Sequence, residues 1–244
     1  MRAKHWLIVV LAILAFLGTL ALFLPASLIA SHLPPNVVVT GLSGTVWNGA
    51  AESVAFDGRQ LGSLQWRVHA MQLLSGRAAA HASLAGEHGH IAGEFALSSG
   101  QKLDADGLQA QWLVASLPIR AVPRGWTGSV KVDAPLLRTE NTALLDVRGT
   151  IDLLDLRRNE AAMGSYRVTF DDTSRQGDQL IGRLQDLGGP LRVTGTVRLS
   201  PGNYAIDGLV AANPDAPREI ADGLRYLGTP DAEGRRPFSV AGEY

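Results

Sequence analysis

Most of this chain alternates between apolar and polar side chains with a period of two residues, and this pattern limits its fold most. Leu64, Trp66 and Val68 share one parity. Gln65 and Arg67, which lie between them, share the other. Successive side chains of a strand point to opposite faces, so such a stretch has one apolar and one polar face. Clean alternation is typical of antiparallel sheets that bury one face, so the sequence predicts a mainly β protein.

The same alternation recurs from residue 37 to the end of the chain. Many short strands at close spacing predict an antiparallel sheet system in the form of a sandwich, a half-barrel or a groove. Gly149 and Gly195 fall on the apolar parity, where a missing side chain often marks a bend or bulge, so we expect the sheet to be curved. Gly58 is expected to turn the chain between two strands. The predicted strands are Val37–Val46, Ala51–Asp57, Leu64–Ala70, Ile91–Leu97, Leu108–Val114, Val130–Val132, Leu145–Leu153, Tyr166–Phe170, Leu191–Leu199, Tyr204–Gly208 and Arg236–Glu243.

One short helix is predicted near the C-terminus, over Ala216–Leu227. Asp215 is its expected N-cap, and Gly228 is expected to end it in the left-handed conformation. Three apolar residues at positions i, i+4 and i+7 give this helix one apolar face, which should lie against the sheet. They are Ile220, Leu224 and Leu227.

The N-terminal stretch Trp6–Leu24 contains 19 residues without a charge, and Arg2 and Lys4 precede it. A helix needs about 20 apolar residues to cross a bilayer. Basic residues stay on the cytoplasmic side, so the N-terminus is predicted to remain inside and the rest of the chain to be exported. A cleaved signal peptide is the alternative, but its apolar region is only about 7–15 residues long. No clean Ala-x-Ala cleavage site follows in Pro25–Ser31, which favours an uncleaved transmembrane anchor.

These features divide the chain into residues 1–30, a cytoplasmic tip with its transmembrane helix, and residues 31–244, an exported β domain. The Pro-rich stretch LPIRAVPRGW at 117–126 is the best internal break. Strand patterns of similar style lie on its two sides. We therefore predict a seam there between two halves of one sheet system.

Charge and composition argue against nucleic-acid binding and exclude sites built on cysteine. Apart from Arg2 and Lys4, the chain has 20 basic and 23 acidic residues. Nucleic-acid binding needs a basic surface, so this balance argues against it. The chain has no cysteine, which excludes disulfides and metal sites built on thiolates.

Candidate chemistry is sparse. Asp104 and Asp106 could form a carboxylate pair on one strand face, but we expect two solvated side chains. Gly41–Gly44 lacks the G-x-S-x-G pattern of a nucleophile elbow, and Gly188–Gly189 lacks the Lys-Ser/Thr of a phosphate loop. We therefore predict no catalytic, cofactor-binding or metal-binding residue, and no enzyme. The one cluster of candidate metal ligands, for which exposed loop histidines are the favoured interpretation, is His81, Glu87, His88 and His90.

Four tryptophans are spread through the predicted β domain. Packing in the core or at a sheet edge is the default expectation for such residues, and a peptide-binding stripe is the alternative. They are Trp47, Trp66, Trp112 and Trp126.

Several phrases of the sequence resemble the type II secretion system protein N family. They are GLSGTVWNGAA at 41–51, LGSLQWRV at 61–68, LLSG at 73–76, GGPLRVTGTVRLSPGNYAIDGLV at 188–210 and LRYLGTPDAEGRRPFSVAGEY at 224–244. GTVWNG is the most specific of them. The resemblance implies a single-pass inner-membrane protein with a periplasmic β domain, an accessory part of the machine that moves folded proteins across the outer membrane. It carries no catalytic motif with it.

Two functions follow as expectations. The first is an interaction protein whose periplasmic domain contacts the outer-membrane secretin or the inner-membrane assembly platform. The second is a periplasmic groove of the AsmA kind that handles lipid. In that case the apolar faces of Leu145–Leu153 and Leu191–Leu199 would line an open groove.

Overall fold

The computed structural model describes residues 23–30, 33–73, 75–98, 100–117, 125–141, 143–159, 161–177 and 179–243. They form two compact units, the first ending at Glu87 and the second beginning at His88. The predicted transmembrane helix lies outside the described residues except for Phe23 and Leu24, and so does most of the predicted seam. In the ranges given, no helix combines the length and hydropathy needed to cross a membrane.

The first unit is a four-stranded antiparallel arrangement in which each strand pairs with the next. Asp57 and Gly58 both have positive φ, of 47° and 76°, in the turn between the second and third strands. A two-residue hairpin loop requires this conformation, and the predicted turn at Gly58 is confirmed. The elements are α1 (Ser27–Ala30), β1 (Val37–Gly44), β2 (Asn48–Phe56), β3 (Arg59–Val68), α2 (Ala70–Leu73) and β4 (Arg77–Gly86).

The second unit is also antiparallel and follows chain order, with one exception. Strand β9 (Ala161–Phe170) pairs with β11 (Gln179–Gly188), because the two-residue β10 (Arg175–Gln176) pairs with β11 alone among the described strands. A 3₁₀ turn, Val114–Ser116, follows β6 (Lys102–Leu113), and another, Leu224–Tyr226, follows α3 (Arg218–Gly223). The predicted mainly β, antiparallel fold is thus confirmed. The elements are β5 (Gly89–Ser98), β6 (Lys102–Leu113), β7 (Trp126–Glu140), β8 (Ala143–Arg158), β9 (Ala161–Phe170), β10 (Arg175–Gln176), β11 (Gln179–Gly188), β12 (Leu191–Ser200), β13 (Asn203–Ala212), α3 (Arg218–Gly223) and β14 (Arg236–Glu243).

The C-terminal helix is shorter than predicted. It begins after Pro217, without a side-chain cap, and tightens into the 3₁₀ turn at Leu224. The prediction that Asp215 caps it is therefore wrong. Gly228 does not have positive φ, so its predicted role is wrong too. The predicted apolar face does pack on the sheet, although Leu227 lies just after the 3₁₀ turn. Ile220, Leu224 and Leu227 contact a buried cluster. That cluster is formed by Leu191, Val193 and Val210.

Gly149 marks a bulge, as predicted. The register between β7 and β8 shifts opposite it, between Asp133 and Leu136. Pro135 lies in that shift, where a strand can accept a residue that lacks an N–H. Gly195 interrupts no register and pairs regularly with Gly208, so of the predicted bend or bulge it does not form the bulge. A Cβ on Gly195 would lie 2.4 Å from the carbonyl oxygen of Asp207, so this glycine instead permits a close approach of two strands.

The apolar parity of the second unit forms two buried clusters. One, formed by Val147, Phe170 and Leu180, joins β8, β9 and β11. The other lies under the helical segment 218–227. Burying such side chains removes apolar surface from water, and this is the main force that holds the strands together.

Candidate interaction surfaces

The residues that follow the predicted membrane helix form backbone hydrogen bonds with the first unit. The N–H of Val46 donates to the carbonyl oxygen of Leu24 at 2.9 Å, and the N–H of Ala26 donates to that of Gly44 at 3.2 Å. Pro25 forms a β-bridge with Thr45, and Ala26 is only 2% exposed. Residues 24–26 therefore form an extra strand segment at the end of β1.

The turn Thr45–Asn48, which we call the junction turn, receives this segment. The N–H of Thr45 donates to the carbonyl oxygen of Asn48 at 2.9 Å, and the N–H of Asn48 donates to Thr45 Oγ1 at 3.1 Å. Gly44 precedes it with φ of +81°, and a Cβ there would lie 2.5 Å from the carbonyl oxygen of Asn48. Only glycine fits this backbone.

Trp66 on β3 supports the junction turn from its other side. Its Nε1–H donates to the carbonyl oxygen of Val46 at 2.9 Å. Its ring lies against Gly49, where a Cβ would be only 2.3 Å from the ring. The sequence GTVWNG thus has a structural reason, because its residues form the turn to which residues 24–26 bind. The sequence alone gave no sign that these two segments meet.

The edge strand β14 is a second candidate surface. Among the described residues of its unit, β14 pairs with β13 alone. Pro237 lies opposite Leu209, and a proline is accepted in a strand where the missing N–H faces away from the ladder. Because the direction of the backbone groups alternates along a strand, Ser239 and Ala241 should also direct their N–H and C=O groups outward. Val240 should direct its N–H and C=O groups toward β13, and the residue is 49% exposed.

The polar parity of the second unit forms rows that cross several strands. One row joins Gln111, Lys131, Asp152, Arg167, Gln185 and Thr194 through β6, β7, β8, β9, β11 and β12. At its centre, Arg167 donates from Nε and Nη2 to the two carboxylate oxygens of Asp152 at 2.6 and 2.7 Å. These hydrogen bonds hold the pKa of the Asp152 carboxyl below its ordinary value, against the opposite effect of burial. The charges of Asp152 and Arg167 are thus paired, and we interpret this pair as the stabilising feature of the row.

We expect Asp152→Asn to lower the midpoint of thermal unfolding by about 3 °C at pH 7, because it removes the carboxylate that Arg167 binds. A carboxyl whose pKa is lowered by folding stabilises the protein above its unfolded pKa of about 3.9, and this contribution is lost as the pH falls. The difference between variant and wild type should therefore shrink from about pH 5 to about pH 3. Thermal melts across this range measure it.

Asp172→Asn is the matched control, because Asp172 forms an exposed ion pair with Arg148 at 2.8 Å. Exposed pairs contribute little to stability, so its melting curve should follow that of the wild type. Equal effects of the two substitutions would show that the pair of Asp152 and Arg167 has no special contribution.

Of the candidates considered in the sequence, His81 lies beside the junction turn, because it pairs with Arg67 of β3 and lines a cavity with Asn48 and Trp66. His81 is exposed on β4 of the first unit, and His88 and His90 are exposed at the start of the second. Among the described residues, no three His, Asp or Glu side chains come together as a metal site would need. Asp104 and Asp106 lie on one face of β6, which the alternation indicated.

The tryptophans have different surroundings. Trp112 is buried, and its Nε1–H donates to the carbonyl oxygen of Ser116 at 3.3 Å. Trp66 supports the junction turn, and Trp47 and Trp126 are half-buried. Trp66 therefore has a defined role that the sequence did not reveal.

Together, the antiparallel strands, the edge β14 and the docked N-terminal segment define a mainly β protein that offers backbone and surface for contact. The family model of Type II secretion system (T2SS), protein N matches residues 35–239. The chain belongs to this family, and it is an accessory protein of type II secretion.

Individual relatives agree along nearly the whole chain. It is 27% identical to Type II secretion system protein N of Aeromonas hydrophila over 97% of each chain. It is 25% identical to the protein of the same name of Vibrio cholerae, over 90% of this chain and 91% of the relative. The protein N of Klebsiella pneumoniae is 24% identical over 94% and 92%. No solved structure matches the chain.

Proposed function

We propose that this protein is an inner-membrane component of the type II secretion system, and that its exported β domain contacts another component of the machine. The family match supports the secretion role, and the uncharged stretch Trp6–Leu24 supports the membrane location. The N-terminus lies in the cytoplasm and residues 31–244 in the periplasm. The partner is the outer-membrane secretin or the inner-membrane assembly platform.

The contact is made by strand addition at β14, and the exposed edge of this strand is the observation that carries the proposal. An edge strand presents a row of unpaired N–H and C=O groups, which an extended segment of another protein can extend into a further strand. The outward groups of Ser239 and Ala241 would supply these hydrogen bonds. A secretion component is thereby tethered to the membrane through this chain without any covalent chemistry.

The test uses the full-length chain, tagged and purified from membranes of cells that express the whole secretion system. The amounts of secretin and platform proteins that it retains are measured. Ser239→Pro removes an outward N–H and adds a ring on the edge, so we expect retention to fall about tenfold. Ser239→Thr keeps the amide and favours a strand, so it should retain the partner like the wild type.

Val240→Pro is the control for local unfolding, because it removes an N–H that should face β13. It should lower the melting midpoint, whereas Ser239→Pro should not. Full retention by a folded Ser239→Pro variant would disprove strand addition at β14. A wild-type chain that retains no secretion component, but carries acyl lipid in its mass spectrum, would replace the contact role with lipid handling.

A further inference from the structure

The sequence around residues 24–26 has no charged side chain over a long stretch. Between Lys4 and Glu52 it contains no Asp, Glu, Lys or Arg. This stretch includes α1, all of β1 and the junction turn. A surface without charges can approach a membrane without the cost of removing ionised groups from water.

The register of the strands places several segments at one end of the first unit. Asn48, at the start of β2, pairs with Arg67, near the end of β3. The N–H of Val68 donates to the carbonyl oxygen of Trp47 at 2.6 Å, and α2 begins two residues later. The hairpin turn at Gly58 lies at the opposite end of β2 and β3. We call the first end the basal end, which comprises residues 23–30, 44–49, 67–73 and 75–77.

The basal end exposes large apolar side chains. Four of the five exposed large apolar residues described in the first unit belong to it, and the fifth is Val38. An exposed group of apolar side chains on a protein indicates a surface that contacts a membrane or another protein. The four are Phe23 (72% exposed), Leu28 (47%), Met71 (79%) and Leu73 (39%).

The charges of the basal end have a single sign. Arg67 is exposed at the end of β3, and Arg77 begins β4 after the turn that follows α2. Residues 23–30, 44–49 and 67–77 contain no Asp or Glu. Arginine beside exposed apolar side chains suits the surface of a bilayer, because the guanidinium reaches lipid phosphates while the apolar groups enter the acyl region.

We infer that the basal end binds the surface of a bilayer that contains anionic phospholipids. Two independent features support this occupant: the charge complementarity, and the hydrogen bond that joins Val46 to Leu24, the last residue of the predicted membrane helix. Met71 and Leu73 insert among the lipids, and Arg67 contacts their phosphates. The first unit is thus held on the membrane by its own side chains as well as by the helix. This goes beyond the proposed secretion role, and it rests on the membrane location of the proposed function.

The absence of cysteine allows a clean test, because one introduced cysteine carries a fluorophore at a single position. The full-length chain is labelled at Met71→Cys and reconstituted in nanodiscs that contain phosphatidylglycerol and a lipid with a quenching group. Gln60→Cys, exposed at the opposite end of β3, is the matched control. We expect strong quenching at residue 71 and none at residue 60.

The charge contribution is tested separately. Arg67→Gln should lower the ratio of quenched to unquenched label at residue 71 about fivefold, since one basic residue near an anionic bilayer contributes about 1 kcal/mol. Arg59→Gln, at the opposite end, should leave it unchanged, and replacing phosphatidylglycerol by phosphatidylcholine should act like Arg67→Gln. Equal quenching at residues 71 and 60, or quenching indifferent to Arg67→Gln, would overturn the inference.

This test also separates the inference from the membrane location of the proposed function. A chain that does not enter nanodiscs would contradict the transmembrane anchor. The label is then read with phosphatidylglycerol vesicles added to the purified chain. Quenching at residue 71 would still support a lipid-binding basal end, and its absence would refute it.

Discussion

Gly149→Val should lower the free energy of unfolding of the second unit by about 3 kcal/mol or more, because it combines backbone strain with a clash. Gly149 has φ of +137°, a conformation that valine does not adopt. A Cβ there would lie 2.1 Å from the carbonyl oxygen of Asp133 and 2.7 Å from the Cα of Ala134. These are backbone atoms of β7, and Ala134 is buried. They cannot move aside as the end of a flexible side chain could. Denaturant unfolding of the full chain measures the loss.

Gly202→Val separates the two causes. Gly202 also has positive φ, of +74°, but a Cβ there would meet no atom within 4 Å. It should therefore lose only the cost of the left-handed conformation, about 1–2 kcal/mol. If both variants lost the same free energy, the contact between β7 and β8 at Gly149 would not be as close as described.

Gly49→Val should destabilise the first unit by about 3 kcal/mol and release the N-terminal segment from the junction turn. A Cβ at Gly49 would lie 2.3 Å from the ring of Trp66 and 2.8 Å from the carbonyl oxygen of Thr45. Trp66 would have to rotate, which breaks its hydrogen bond to Val46. Thermal unfolding and limited proteolysis of the full chain around residues 23–30 measure both effects.

Ser43→Val is the matched control, since Ser43 is exposed on β1 and pairs with Ala50 of the same hairpin. A β-branched residue on an exposed strand position is tolerated, so stability and proteolysis should not change. Faster cleavage in this control would show that the segment is sensitive to any change in the hairpin. The close contact between Gly49 and Trp66 would then have no special role in holding the segment.

Alternation predicted much of the fold correctly. On β12, Leu191, Val193 and Val197 are buried, whereas Arg192 and Thr194 are exposed, as their parity indicated. The signal works here because β-branched and long apolar side chains occupy four of the five positions on one face, with only Gly195 between them.

Where this signal is weak, strands were missed. β4 reads RAAAHASLAG, and alanine gives little contrast between its two faces. In β11 Gly182 occupies the apolar parity between Leu180 and Leu184. β7 has 15 residues rather than the three predicted, because Pro135 argues against a strand until its bulge is known.

The candidate surfaces were less accessible to sequence reasoning than the fold. Phrases such as GTVWNG pointed to the family, but not to the contact between residues 24–26 and the junction turn. That contact joins segments about 20 residues apart through backbone groups, which no side-chain pattern encodes. The edge at β14 depends on which strand comes last in the sheet, and alternation says nothing about order.

The order of the strands has a consequence for how the chain reaches its native state. Within each unit every described strand pairs with the one before it, except that β10 is not part of the main strand order and pairs with β11, which also pairs with β9. Contacts that are close in sequence cost little loop-closure entropy and favour rapid folding. Each unit can therefore form by the successive addition of hairpins from its N-terminal side, so that each described strand meets its partner soon after it is synthesised.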